Sequence, residues 1–256
     1  MTALVCIPTY NEAETIASIV ARTLTAVPDA HILVADDASP DGTGAIVDAI
    51  AADDARVHVL HRAGKQGLGA AYLAAFAWGA EHGYDAFVEM DADGSHRPEQ
   101  LPDLLAALEG ADMVIGSRWV PGGRTVGWPL SRRLISRAGS LYSRLALGIT
   151  ERDATGGFRA YRADAIQRLG AAGVRSEGYS FQVEMLWRAV LAGLRIREVP
   201  ITFADRELGQ SKMSGAIVVE ALLRVTLWGI AGLPTRWSRA QARRAGTTAA
   251  LEPSHV

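Results

Sequence analysis

Ala86-Phe87-Val88-Glu89-Met90-Asp91-Ala92-Asp93 decides the fold class. A short, mostly apolar run ends abruptly in two carboxylates. Ala86–Met90 is too short for a core helix and reads as a buried strand. The same punctuation recurs on either side. Ala3–Ile7 is an apolar run closed by Pro8, and His31–Ala35 runs into Asp36-Asp37. Arg56–Leu60 reads as a third strand, and Met113–Ile115 as a fifth, ending near Ser117-Arg118. Helical stretches fill the gaps. Asn11 opens the first, with Glu14 at capping-box spacing. Asp41-Gly42 starts the second, Gly67–Glu81 is an Ala-rich third, and Pro98 marks the start of a fourth. Strands alternating with helices predict an α/β fold with a mostly parallel central sheet flanked by helices.

A parallel sheet binds ligands beyond the carboxyl ends of its strands. The polar clusters Thr9–Glu12, Asp36–Asp41, Asp91–His96 and Ser117-Arg118 each follow a strand, so they are expected to converge on one edge. The second half differs. Gly157–Arg162, Tyr179–Ala192 and Arg195–Phe203 read as strand, helix and strand. Between Asp112 and Glu151 there is no acidic residue, while Arg118, Arg124, Arg132, Arg133, Arg137 and Arg144 all fall there. One or two arginines would be an ordinary solvated helix face. Six without an acid point to an anionic ligand or a membrane surface.

Composition narrows the classes. The formal charge of −2 disfavours a general nucleic-acid binder. One cysteine, Cys6, excludes an intramolecular disulfide framework and reads as a small core residue in the first strand. No secretory signal is visible at the N-terminus, and no eighteen-residue stretch is free of charged and turn residues. Ala216–Leu233 would reach about 27 Å as a helix, but it carries Glu220 and Arg224, an i, i+4 pair. Charges inside a span are costly. An interfacial helix fits better, followed as it is by Trp237 and several arginines, the alternative being a core helix with a solvated tail. The expected organisation is a catalytic domain over residues 1–235, with an amphipathic helix at about 214–233, then a basic, disordered tail at 236–256.

Asp91-Ala92-Asp93 places two carboxylates at a strand end, where both can lean toward one divalent cation. Hard oxygen ligands suit Mg²⁺ or Mn²⁺. A bare Asp-x-Asp is equally a solvated acidic turn; its place after an apolar strand, with Asp36-Asp37 after another, favours the cation. Pro8-Thr9-Tyr10-Asn11-Glu12 offers an aromatic face and hydrogen-bonding groups that could hold a nucleobase, a reading compatible with a proline-stopped strand and an Asn cap. His96 reads as a base, a metal ligand or a helix cap. Glu184 could face a sugar or satisfy buried backbone, and Trp187 reads as core.

Together these motifs resemble family 2 glycosyltransferases of the GT-A fold: Pro8–Glu12, Asp36–Thr43, then Asp91-Ala92-Asp93. Val114–Arg118, Ser131–Arg137, Gly156–Arg159 and Arg206 through Ser211-Lys212 resemble, more narrowly, the polyprenol-phosphate (dolichol-phosphate) mannose synthases, over residues 3–230. The resemblance implies a GDP-mannose donor held by Pro8, Tyr10, Glu12, Asp37, Asp91, Ala92 and Asp93, with Tyr10 and Glu12 beside the guanine and Asp37 at the nucleoside. It implies Mg²⁺ or Mn²⁺ on Asp91 and Asp93. Ser95 becomes the third ligand, standing where many relatives carry Gln. Arg118, Arg132 and Ser136 would hold the phosphate of a polyprenyl phosphate acceptor, and Arg206 and Lys212 would close over the donor phosphates from a mobile loop. Asp91, Asp93, Arg118, Arg206 and Lys212 carry the catalytic roles.

The expected function is mannosyl transfer with inversion at the cytoplasmic face of a membrane, by a peripheral protein that could have a separate membrane-anchoring partner. The alternatives are the same fold with another donor, such as UDP-glucose, and a catalytically silent nucleotide-sugar-binding protein. A dinucleotide-dependent dehydrogenase is disfavoured, because no Gly-x-Gly-x-x-Gly follows the first strand.

Overall fold

The computed structural model describes residues 1–174, 176, 178–205 and 215–231. In chain order the elements are β1 (Ala3–Thr9), α1 (Ile16–Ala26), β2 (His31–Asp36), α2 (Thr43–Asp53), β3 (Val57–His61), α3 (Leu68–Glu81), β4 (Ala86–Glu89), α4 (Leu101–Leu108), β5 (Met113–Ser117), β6 (Arg124–Val126), α5 (Leu130–Leu147), β7 (Arg159–Arg162), α6 (Ala163–Arg168), α7 (Gly178–Leu191), β8 (Ile196–Pro200), β9 (Thr202–Ala204) and α8 (Gly215–Ala231). Seven strands form one sheet in the order β3-β2-β1-β4-β7-β5-β8, and β6 pairs with β9 apart from it. Only β7 runs antiparallel to its neighbours in the large sheet.

The sheet is covered on both faces, as a parallel sheet requires. Side chains alternate along β1: Leu4 and Cys6 face one core, Val5 and Ile7 the other. The first core is filled by α3, α6 and α7, with Tyr72, Phe76 and Phe181 as its large members. The second is filled by α1, α2 and α4, through Ile16, Ile19, Val47, Leu101 and Leu104. Cys6 is fully buried, and burial pushes its thiol pKa well up.

Helix α8 lies on α5. The Tyr142 hydroxyl meets Thr226 Oγ1 at 2.6 Å, and Trp228 stacks on Trp187, which also packs against the core. A Cβ at Gly229 would lie 2.6 Å from the Ala146 carbonyl oxygen, so glycine is what lets the two helices approach this closely.

Two local expectations need correction. Asn11 does not cap a helix: α1 begins at Ile16, and Asn11 sits at φ +61° with its N–H donated to Ser39 Oγ. The short polar side chain that suits a cap also tolerates the left-handed region. Arg195–Phe203 is not one strand; it splits at Ile201 into β8 and β9, which belong to different sheets. Pro98 does open the fourth helical stretch, as a 3₁₀ turn that runs directly into α4.

Candidate active site

Because β1, β2, β4 and β5 run the same way, their carboxyl ends share one edge. The antiparallel β7 brings its amino end, and the Gly156–Phe158 approach to it, to that same edge.

The loops after β1 and β2 are sewn together. Thr9 O accepts the Asp37 N–H at 3.0 Å, and Thr9 Oγ1 donates to Asp36 Oδ1 at 2.9 Å. The Glu12 N–H donates to Thr43 Oγ1 and the Ala13 N–H to Asp41 Oδ2, both at 3.0 Å. Asp41 Oδ1 also receives the Thr43 N–H, which starts α2 where Asp41-Gly42 predicted. Asn11 and Ala38 both hold positive φ, +61° and +54°. Such strain in non-glycine residues gathers where a binding loop needs a fixed shape. Tyr10, Glu12 and Asp37 therefore sit on one cross-linked double loop, and Pro8 lies at the end of β1 beside it. Tyr10 is half-buried, and the Lys65 ammonium lies 4.4 Å from its ring centroid. Asp37 is buried and pairs directly with the Arg62 guanidinium; burial raises its carboxyl pKa, with Arg62 opposing the shift.

The loop after β4 carries the acidic pair. Tyr72 OH donates to Asp91 Oδ1 at 3.1 Å, and the Asp91 side chain remains 32% exposed. Asp93 is buried, and its Oδ1 accepts the Ser95 N–H at 3.0 Å. Ser95 Oγ is buried without a hydrogen-bond partner among the described residues. Among those residues no three His, Cys, Asp or Glu side chains group to enclose a metal. Asp91, Asp93 and the orphaned Ser95 hydroxyl, all on this one loop, offer oxygen donors only, with Asp91 the most exposed of the three. Mg²⁺ and Mn²⁺ fit such a set, because they keep waters and take substrate phosphates as further ligands.

His96 neither caps a helix nor presents a base. Its Nδ1 accepts the Asp91 N–H at 3.0 Å, and its ring stacks on Phe158, centroids 4.9 Å apart. Burial lowers its pKa, only partly countered by Asp91 and Asp93, so it is a neutral clamp on the acidic loop.

Beyond β5 the arginines gather around aromatic rings. Arg118 is 5% exposed. Its Nε and Nη2 donate to Asp153 at 2.8 and 2.6 Å, and Nη2 reaches Thr155 Oγ1 at 3.0 Å. Arg132 donates to Asp205 Oδ1 at 2.5 Å and stacks over Trp128, with Cζ 4.0 Å from the ring centroid. Ser136 is one turn along α5 from Arg132 and half-buried. Asp153, Arg62 and Trp128 escaped the sequence reading. Asp153 stands only three residues before the quoted Gly156–Arg159, at the close of the acid-free stretch. Glu184 is held by side chains: Ser176 Oγ donates to Oε2 at 2.5 Å and Arg188 Nε to Oε1 at 2.8 Å, tying the preceding loop to α7.

Residues 4–170 match the family model described as Glycosyl transferase family 2. The chain belongs to that family. This family 2 glycosyltransferase is similar to the undecaprenyl-phosphate mannosyltransferase of Micrococcus luteus, 57% identical over 243 residues that cover 95% of this chain and 99% of that one. It is similar to the polyprenol monophosphomannose synthase of Mycolicibacterium smegmatis, 54% identical over 231 residues, 90% of this chain and 87% of that one. The resemblance carried by Val114–Arg118 and Ser131–Arg137 is thereby borne out. Among solved structures, glucosyl-3-phosphoglycerate synthase of Mycobacterium tuberculosis, in complex with Mn²⁺, UDP-glucose and phosphoglyceric acid, superposes with a TM-score of 0.64 at 23% identity, over 88% of this chain and 79% of that one. That likeness supports the GT-A-like fold. Arg206 and Lys212 of this glycosyltransferase lie outside the described residues, as do Trp237 and the basic tail at 236–256.

Proposed function

We propose that this glycosyltransferase moves mannose from GDP-mannose to the phosphate of a polyprenyl monophosphate of the dolichyl type, giving polyprenyl phosphate β-mannose. One observation carries the reading. A single sheet edge gathers the cross-linked loops after β1 and β2, the carboxylates Asp91 and Asp93, and Arg118 beyond β5. The names of the two relatives identical at 57% and 54% support mannose and polyprenyl phosphate as the reactants.

Tyr10 and Glu12 hold the guanine, and Asp37, fixed by Arg62, meets the nucleoside. Asp91 and Asp93, with Ser95 as the third oxygen, would hold Mg²⁺ or Mn²⁺, which when bound would neutralise the diphosphate leaving group; the Mn²⁺ bound with UDP-glucose in glucosyl-3-phosphoglycerate synthase supports this. Arg118, Arg132 and Ser136 hold the acceptor phosphate, and Arg206 and Lys212 close over the donor phosphates. A phosphate monoester is already anionic near pH 7, with a second pKa of about 6. Its oxygen attacks C1 as the bond from C1 to the diphosphate oxygen breaks, GDP departs with the electron pair, and the anomer inverts. No protein base need take a proton, and His96, buried and neutral, is not placed to be one.

The reading extends to the membrane surface, on its cytoplasmic side. Leu134, Ile135, Leu141 and Leu145 of α5 and Leu223, Leu227 and Ile230 of α8 are exposed on two helices packed together. Arg133 and Arg137 are exposed beside them, as a helix pair lying on anionic lipid requires. Among the described residues no helix is long and apolar enough to cross a membrane.

The test is a donor panel. The protein is incubated with Mg²⁺, an isoprenyl phosphate and labelled GDP-mannose or UDP-glucose, and label is counted in the organic phase. Label from GDP-mannose is expected. Transfer only from UDP-glucose would establish the other donor, and no transfer from either would return the protein to a binding role.

A further inference from the structure

We propose that Trp128 is a positioning residue for the acceptor phosphate, the one indole among the described residues against which both Arg118 and Arg132 are set. The inference rests on the acceptor reading above and adds a residue to it. Arg132 Cζ lies 4.0 Å from the Trp128 ring centroid and Arg118 Cζ lies 5.4 Å from it. Phe203 of β9 meets Trp128 edge-on at 5.3 Å and also stands 5.4 Å from Arg118 Cζ. Trp119 closes the cluster, 5.4 Å from Arg118 and 4.8 Å from Arg137.

Two guanidiniums brought to one place repel each other and lose water. An aromatic face offsets both costs through its quadrupole, tryptophan best of all. The carboxylates that share the work sit at the outer edges: Asp153 takes Nε and Nη2 of Arg118, and Asp205 takes Nη1 of Arg132. Among the described residues, Nη1 of Arg118 and Nε and Nη2 of Arg132 donate to no protein acceptor. The forks are therefore oriented but not used up, as a site for a phosphate needs.

An independent observation points the same way. The indole N–H groups of Trp119 and Trp128 are buried with no acceptor among the described residues. Buried donors are nearly always satisfied, so two orphans in one arginine cluster mark a place where an oxygen-rich anion is expected. Phe203 adds a link to the acidic loop, since it also meets His96 edge-on at 5.3 Å, and the neighbouring Ala204 N–H donates to Ser95 O. The aromatic cluster thus joins the acceptor arginines to the loop that carries Asp91 and Asp93.

The test is a split of Michaelis constants in the full-length protein with a short isoprenyl phosphate and GDP-mannose. Trp128→Leu is expected to raise KM for the isoprenyl phosphate at least tenfold while KM for GDP-mannose stays within twofold. Trp128→Phe keeps an aromatic face but loses the indole N–H, and is expected to recover part of the loss. A second measurement does not depend on Trp128→Leu folding. Adding the isoprenyl phosphate to wild type should change tryptophan emission, the change should fall by more than half in Trp128→Phe, and inorganic phosphate should need at least 100-fold higher concentration to match it. An unchanged acceptor KM, an equal rise in both constants, a full emission change in Trp128→Phe, or an equal response to inorganic phosphate would overturn the assignment. If wild type itself transfers no mannose, the proposed function fails; if wild type transfers and these variants behave like it, only the role of Trp128 fails.

Discussion

Arg118 and Asp153 form a buried two-pronged ion pair, Nε to Oδ2 at 2.8 Å and Nη2 to Oδ1 at 2.6 Å, and the Arg118 backbone N–H adds a third bond to Oδ2 at 2.8 Å. One carboxylate thus fixes both the side chain and the main chain where β5 ends. Burial alone would raise the Asp153 pKa, but the charge and hydrogen bonds of Arg118 outweigh it, and the net shift is downward. A carboxyl whose folded pKa lies below its unfolded value of about 3.9 adds stability above that value and loses it as pH falls through the folded pKa. Asp153→Asn should therefore cost about 3–5 kcal/mol at pH 7, leaving Arg118 buried and unpaired. Its melting temperature should also fall less steeply than that of wild type as pH drops below about 4. Thermal melts across pH check both, and parallel acid limbs would contradict the second.

Asp91→Asn and Asp93→Asn should each lower kcat by about 100-fold or more, the scale of losing one transition-state contact, with unchanged circular dichroism. Both should lose the calorimetric signal of Mn²⁺ added with GDP, and chelator should reproduce the loss of activity in wild type. Full activity in chelator would contradict the assignment of these carboxylates.

Arg132→Ala should raise KM for the lipid phosphate far more than for GDP-mannose, by a charge-assisted hydrogen bond of about 1.5–3 kcal/mol. Steady-state kinetics with both substrates varied decides this. Equal effects would move the acceptor away from α5.

Much of this site was legible because buried parallel strands read as unbroken apolar runs. Ala86–Met90, Ala3–Ile7 and His31–Ala35 each marked a strand whose carboxyl end could be placed, so Asp91, Asp93, Tyr10 and Asp37 could be assigned to one edge from order alone. What escaped notice depends on partners distant in sequence. Asp153, in the loop that leads into β7, meets Arg118 across 35 positions. Trp128 packs against Phe203 of β9, far along the chain, and no local pattern announces that packing. Asn11 and Glu184 were ambiguous for a different reason: a short amide serves a cap or a left-handed turn, and a buried carboxylate serves whatever donors surround it.

The exposed leucines make the membrane reading testable. Leu134→Glu with Leu141→Glu should weaken co-sedimentation with anionic vesicles, at roughly the cost of burying two apolar side chains, about 1.5–3 kcal/mol each. Activity on a short, soluble acceptor should persist. Unchanged vesicle binding would leave this face to another partner.

The central claim is that the acceptor is a phosphate whose own charge makes a protein base unnecessary. The most direct measurement is a matched pair, one short isoprenoid phosphate and its parent alcohol, each incubated with GDP-mannose, with the product anomer read by NMR. The account predicts a β-linked mannosyl phosphate from the phosphate and no product from the alcohol. Efficient transfer to the alcohol, or a retained α linkage, would contradict it.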